Sequence, residues 1–252
     1  MILYGAGMAA LQLFGVDGLP EIESGDDLAT MVSAQTELTE GDVVVATSKI
    51  VSKAEGAVVE LADVQPSVFA RTFADRWNKD PRVVEVVLQQ ARRVVRMIGP
   101  VRITETHHGL VCANSGVDQS SSGAPGRVVV LPADPDGSAR RLRARFGELG
   151  VDVAVLISDT FGRPWREGQT DVAIGVAGLA PLVSYVGQRD PHGHEFQVQE
   201  LCVADELAAA AELVKGNTSR VPVAVIRGYA WTADDSATAS SLVRDAAHDL
   251  FR

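Results

Sequence analysis

RVVVLPADPDGSARRLRARFGELGVDVAVLISD, residues 127–159, holds two apolar, β-branched runs on either side of a segment with helical spacing. Leu142, Phe146 and Leu149 fall on one helical face, and Gly150 is a stop signal. The runs 127–134 and 151–159 read as strands. The stretch therefore predicts a strand–helix–strand unit. Working outward, GDVVVATSKIV from Gly41 and VPVAVIRG (221–228) are further strand signals. Helices are expected over 80–99, where Val84, Leu88, Ala91 and Val95 form one stripe ended by Gly99-Pro100. Others are expected over 203–216, closed by Gly216, and from Ser236, a candidate N-cap, to Phe251. Strands and helices mix without strict alternation. The expected class is α+β, with irregular mixed sheets and packed helices, rather than a plain doubly wound sheet. There are no repeats and no linker-like segment, so one domain over 1–252 is expected.

The composition narrows the function. The chain has 252 residues, 46% hydrophobic and 22% charged, with net charge −10. That length can bury a sizeable core, and the balance is that of an ordinary globular protein. The negative charge argues against a nucleic-acid or anionic-membrane binder, which needs a basic face. No apolar run reaches the roughly 18 residues of a membrane span. The N-terminus lacks the basic region and long apolar core of a secretory signal, so the cytoplasm is the expected location. Cys112 and Cys202 form no CxxC pair and read as reduced core thiols.

Four motifs bear on chemistry. GAGMAA (Gly5 to Ala10) fits a relaxed dinucleotide fingerprint, but only MILY precedes it where a full strand is needed. TSKIVSK (47–53) carries two of the four lysines, Lys49 and Lys53, at a spacing that puts both on one side in a helix or a strand. With Ser48 and Ser52 they suit phosphate oxygens, or else they are a solvated strand end. In HHGLVCANSGVDQSS (107–121), Asp118 follows an apolar run inside a loop of small residues. Small neighbours allow a ligand to approach closely; a plain turn is the competing reading. His107 and His108 have no metal-ligand spacing and read as structural. SDTFGRPWREGQTDVAIGVAGL (158–179) follows a buried strand and reads as a charged, glycine-bearing loop. Asp159 and Thr160 offer the hard oxygens that Mg²⁺ or Mn²⁺ prefers. Arg163 and Arg166 suit phosphate or carboxylate, with Gln169, Thr170 and Asp171 lining the same pocket; an arginine–aspartate ion-pair loop is the alternative.

These segments, with GLPEI (18–22), GDD (25–27), RDPHGHE (189–195), VADELAAAAELVKG (203–216) and VPVAVIRG (221–228), occur in an order that resembles the coenzyme F420-0:γ-glutamyl ligases. The resemblance spans 18–228 and leaves residues 1–10 outside, as a loose extension. It implies that the chain joins L-glutamate to F420-0 with hydrolysis of GTP to GDP and phosphate, and that it works as an intertwined homodimer. It places the guanine-nucleotide segment on Leu19, Pro20, Glu21 and Ile22, with further nucleotide contacts at Ser48, Lys49, Lys53, Ser121 and the stretch around Lys215 and Gly216. It implies two divalent ions, one on Asp118 and Asp159, the second involving Thr160 and Asn217. Two positions depart from the family pattern: many relatives have Asn where this chain has Ser121, and Gln where it has Asn217.

The expected route moves the GTP γ-phosphoryl group to the lactyl carboxylate of F420-0. The glutamate amine then displaces phosphate from that acyl phosphate. Asp118 and Asp159 would hold metal, with Arg163, Arg166 and Lys53 as cationic partners. Two alternatives use the same residues: a metal-dependent phosphohydrolase, and a nucleotide-binding relative without catalysis.

Overall fold

The computed structural model describes residues 10–119 and 124–249. In chain order its elements are β1 (Gln12–Gly15), α1 (Leu28–Gln35), β2 (Val43–Thr47), α2 (Ser48–Ala54), β3 (Val58–Glu60), α3 (Val68–Trp77), α4 (Pro81–Gln89), β4 (Ala91–Ile98), β5 (Val101–Thr106) and β6 (Val111–Ala113). There follow β7 (Arg127–Val129), α5 (Pro135–Glu148), β8 (Ala154–Arg163), β9 (Arg166–Leu179), β10 (Leu182–Ser184), β11 (Glu200–Cys202), α6 (Val203–Lys215), β12 (Val223–Arg227) and β13 (Ala233–Asp234).

The central sheet has the order β1-β12-β2-β8-β9-β13. Only β2 and β8 are parallel neighbours; the other pairs are antiparallel. Both faces are covered, which is why VVVA in β2 and AVLI in β8 are apolar throughout instead of alternating. Successive residues still point to opposite sides. Val44, Ala46, Val155 and Ile157 meet one layer, in which Leu28, Ala29 and Val32 of α1, Ile50 and Val51 of α2, and Ala139 and Phe146 of α5 are buried. Val43, Val45, Ala154 and Leu156 meet the other, built on Ala204, Leu207, Ala208 and Ala211 of α6. Phe146 is fully buried, and truncation to alanine at such a site costs about 3–5 kcal/mol. Asp134 caps α5 by accepting from the Gly137 N–H at 2.9 Å, with Pro135 in the first turn. β9 passes so close to this cap that a Cβ on Gly175 would lie 2.4 Å from the Pro135 carbonyl oxygen. Only glycine fits there.

Away from this sheet, β4, β5 and β6 form a three-stranded antiparallel sheet, while β3 pairs with β7 and β10 with β11. Small clusters around Val86 and Val128, and around Phe73 and Val84, fill the space beneath α3 and α4.

The mixed α+β class stands, but three local expectations do not. The helix expected over 80–99 stops at Gln89, and residues 91–98 are strand β4. Arg-Arg-Val-Val-Arg-Met-Ile satisfies a strand as well as a helix, and pairing with β5 decides between them. The helix expected from Ser236 is absent among the described residues; short 3₁₀ turns at Ala239–Leu242 and Ala246–His248 replace it. Buried Asp136 accepts the N–H groups of Ala239 and Ser240, and Ser236 closes a turn on Asp234. Finally, 158–179 is no loop. β8 and β9 form one long hairpin whose only unpaired residues at the tip are Pro164 and Trp165. The strand–helix–strand unit of 127–159 is present as β7, α5 and β8, with its two strands in different sheets: β7 pairs with β3 and β8 lies in the central sheet.

Candidate functional site

The sheet topology gathers the site. β2 and β8 are parallel, and β1 runs the same way because β12 lies antiparallel between β1 and β2. The carboxyl ends of β1, β2 and β8 therefore share one edge with the start of β12. In open parallel sheets ligands sit outside the carboxyl ends of the strands, and the parallel pair β2 and β8 presents that edge here. There a cleft of about 590 Å³ is lined by Leu19–Ile22, by Thr47, Lys49 and Lys53, by Ser158–Thr160 and Asp171, and by Glu212, Gly216–Thr218 and Arg220–Pro222.

TSKIVSK turns from strand to helix at Ser48, so Lys49 and Lys53 stand one turn apart on one face of α2. Ser48 donates to Asp159 Oδ1 at 2.7 Å. Lys49 Nζ lies 3.0 Å from Asp118 Oδ2. Two adjacent residues of α2 thus touch the two aspartates singled out from the sequence. Lys53 pairs with Glu21 at the mouth.

Asp118 arrives from a different part of the fold. Its backbone exchanges two hydrogen bonds with Val129, at 2.9 and 2.8 Å. The loop before it has left-handed backbone at Asn114, Ser115 and Gly116, with φ of 52°, 54° and 69°. Buried Arg102 clamps Asn114 Oδ1 with two donors at 3.2 and 2.8 Å, and Thr104 and Ser115 bond each other at 2.8 Å. These bonds hold a conformation that non-glycine residues avoid.

The protein packs closely around Asp159, although the carboxylate still faces the cleft. Burial pushes its carboxyl up to about 6; the Ser48 hydroxyl and the Lys49 ammonium oppose this, while the Asp171 carboxylate adds to it. Burial would also raise Asp171. The Lys215 ammonium and the Thr160 and Ser158 hydroxyls overcome that and hold it below the usual carboxylate range. Glu212 is raised, by burial first and then by Asp171, against Lys215 and Lys49.

Of the residues expected at the site, Leu19, Pro20, Glu21, Ile22, Lys49, Lys53, Asp159, Thr160, Gly216 and Asn217 line the cleft, with Ser48 and Asp118 bonded directly to its lining. Arg163 and Arg166 are not brought to it. They face each other at the exposed hairpin tip, where Arg163 donates to the Glu167 carbonyl at 2.9 Å. Lys215 is 1% exposed and turned inward onto Asp171. Its position, four residues after Ala211 on the buried stripe of α6, carried that signal in the sequence. Ser121 lies outside the described residues, as does Gly5 to Ala9 of the glycine-rich N-terminal motif. Glu212 and Arg220 line the cleft without having been singled out, since no spacing marks either one. His107 and His108 bond backbone carbonyls, as structural histidines do.

Among the described residues no three His, Cys, Asp or Glu side chains cluster as a metal set. The candidate donors are instead two carboxylates, Asp118 and Asp159, with neutral oxygens from Thr160 and Asn217. This all-oxygen chemistry fits a hard ion such as Mg²⁺ or Mn²⁺. Neither cysteine competes as a nucleophile. Burial pushes Cys112 up to about 12 and Cys202 to about 11. No helix among the described residues is long and apolar enough to cross a membrane.

Residues 18–228 match the family described as F420-0:Gamma-glutamyl ligase. The coenzyme F420:L-glutamate ligase of Methanopyrus kandleri is 45% identical over 253 residues, covering 97% of this chain and 100% of that protein. The proteins of the same name from Methanothermobacter thermautotrophicus and Halobacterium salinarum are 44% and 43% identical, covering 88% and 87% of this chain and 90% and 87% of their own lengths. The matched span takes in Asp118 and Asp159, the lysine pair and every segment that lines the cleft; the chain belongs to the F420-0:gamma-glutamyl ligase family.

Proposed function

We propose that this chain forms an amide between L-glutamate and the lactyl carboxylate of F420-0, using GTP and two divalent ions, through an acyl phosphate. One observation carries the reading. A single cleft at the carboxyl edge of the sheet sets Asp159 beside a cationic wall, Lys49 and Lys53, and Asp118 joins it from outside through Lys49. Phosphoryl transfer asks a protein mainly for positioning and charge neutralisation, and these are the groups that supply both.

In this reading Leu19–Ile22 hold the base, and Lys49, Lys53 and Arg220 meet phosphate oxygens as point charges and a guanidinium fork. Asp118, Asp159, Thr160 and Asn217 hold the ions, which offset the charge of triphosphate and carboxylates when bound. The first step breaks the bond between the γ-phosphorus and its bridging oxygen and forms a new one to the lactyl carboxylate oxygen; GDP leaves. The glutamate amine then attacks the activated carbonyl, loses a proton, and inorganic phosphate departs. Glu212, a carboxylate on the cleft wall with raised proton affinity, is placed to take that proton. The test is incubation with F420-0, GTP, L-glutamate and Mn²⁺, read by product mass. A product heavier by one glutamyl residue, dependent on GTP, supports the reading. Phosphate release that is unaffected by glutamate, with no adduct, would turn it toward a phosphohydrolase.

A further inference from the structure

The cleft floor contains a buried network in which the ligation scheme leaves Asp171, Ser158 and Lys215 unused. Thr160 and Asp171 are opposed across the β8–β9 hairpin. Thr160 Oγ1 donates to Asp171 Oδ1 at 2.7 Å. Ser158 Oγ donates to the other carboxylate oxygen at 2.8 Å. Lys215 Nζ, from the last turn of α6, donates to that same oxygen and to Ser158 Oγ, each at 2.8 Å, and lies 3.7 Å from Glu212 Oε2. Asp171 and Lys215 are each 1% exposed.

We propose that Asp171 and Lys215 are a positioning pair for Thr160, holding its hydroxyl proton inward so that the oxygen lone pairs face the cleft as a cation ligand. This rests on the metal reading given above. A threonine hydroxyl has one proton and two lone pairs. Given to Asp171, the proton cannot turn toward the cleft, where it would repel a cation. A lone buried carboxylate would be costly in this role, and Lys215 balances it. Outer partners of this kind change metal affinity by about 10–100-fold when removed. The pair also ties α6 to β9, and a purely structural role would be complete with that.

The full-length chain is titrated with Mn²⁺ by calorimetry, with thermal unfolding as the folding control. Wild type is expected to bind two ions. Thr160→Val should weaken one of them about tenfold or more. Asp171→Leu with Lys215→Met, which replaces the pair by apolar groups, should weaken the same ion to the same extent while remaining folded. Asp171→Asn with Lys215→Met keeps a carbonyl acceptor for Thr160 and should lose less than the roughly tenfold or more expected of the apolar variant. Should the leucine variant not fold, Asp171→Val with Lys215→Leu carries the same readout. Loss of the ion in Thr160→Val but not in the folded apolar variant overturns the positioning pair and leaves the metal reading standing. A wild type that binds no Mn²⁺ overturns both.

Discussion

Lys49 Nζ stands 3.0 Å from Asp118 Oδ2, so one cation of the proposed phosphate wall is engaged with one proposed metal carboxylate. The Lys49 side chain is 38% exposed and that of Asp118 19%, and such a partly open pair contributes about 1 kcal/mol to stability. Lys49→Met should therefore barely move the unfolding midpoint. If Lys49 and Lys53 meet phosphate, each methionine or alanine variant should weaken GTP binding by about 1.5–3 kcal/mol, the scale of a charged hydrogen bond. Calorimetry decides. Unchanged GTP affinity together with a large drop in melting temperature would make the lysines structural.

Asp118→Asn and Asp159→Asn keep volume and remove charge. Both proteins should fold, and both should lose Mn²⁺ affinity and ligation, with turnover down by about 100-fold or more if the ion stabilises several kcal/mol of developing charge. A chelator should reproduce the loss in wild type. Near-normal turnover in either folded variant would remove that aspartate from the metal set.

Local pattern and tertiary pairing divide the credit for what the sequence made legible. Asp118, Asp159 and the lysine pair stood out because charged groups beside apolar runs and small residues are costly without a task. The sequence held the strand of Val43–Thr47 and the α6 stripe in plain periodicity. Residues 91–98 were misread as helix because Val95 continues the stripe of Val84 and Leu88, and only the partner strand β5 breaks the tie. The tail from Ser236 failed for a related reason: Asp136, a hundred residues earlier, takes the N–H groups of Ala239 and Ser240. Arg163 and Arg166 are expected beside Thr160 if 158–179 is a loop. As a hairpin it carries them away from Thr160 at about 3.3 Å per residue, out to the tip.

Asp42 offers a pH test away from the cleft. It is buried at the start of β2, where burial alone would raise its carboxyl. Arg227 Nε and Nη2, at 2.9 and 2.7 Å, and the Thr39 N–H at 2.8 Å hold it instead below its ordinary value of 3.8. A depressed carboxyl contributes stability that is present above the unfolded-state pKa and is lost as pH falls through the folded-state one. Asp42→Asn should thus cost about 1–3 kcal/mol at neutral pH. The gap between variant and wild type should stay constant down to pH near 4, the unfolded carboxylate value, and close below that. Denaturant melts across the acid range measure it; a gap that closes on the alkaline side would refute the assignment to Asp42.

The acyl phosphate makes the sharpest claim about bond order. Both cysteines are pushed to high pKa by burial, and no Ser-His-Asp set is apparent in the sequence, so a covalent enzyme intermediate lacks an activated nucleophile among the described residues. Direct transfer from GTP to substrate is then the economical route, and it leaves a trace. The lactyl carboxylate oxygen that attacks phosphorus stays with phosphorus when the glutamate amine displaces it. F420-0 carrying heavy oxygen in that carboxylate should yield inorganic phosphate with one heavy oxygen per turnover, weighed by mass spectrometry. The GDP should carry none, because its β-phosphoryl oxygens come only from GTP. Unlabelled phosphate alongside normal amide product would mean that the carboxylate never bonded to phosphorus, and the search would return to an intermediate on the protein.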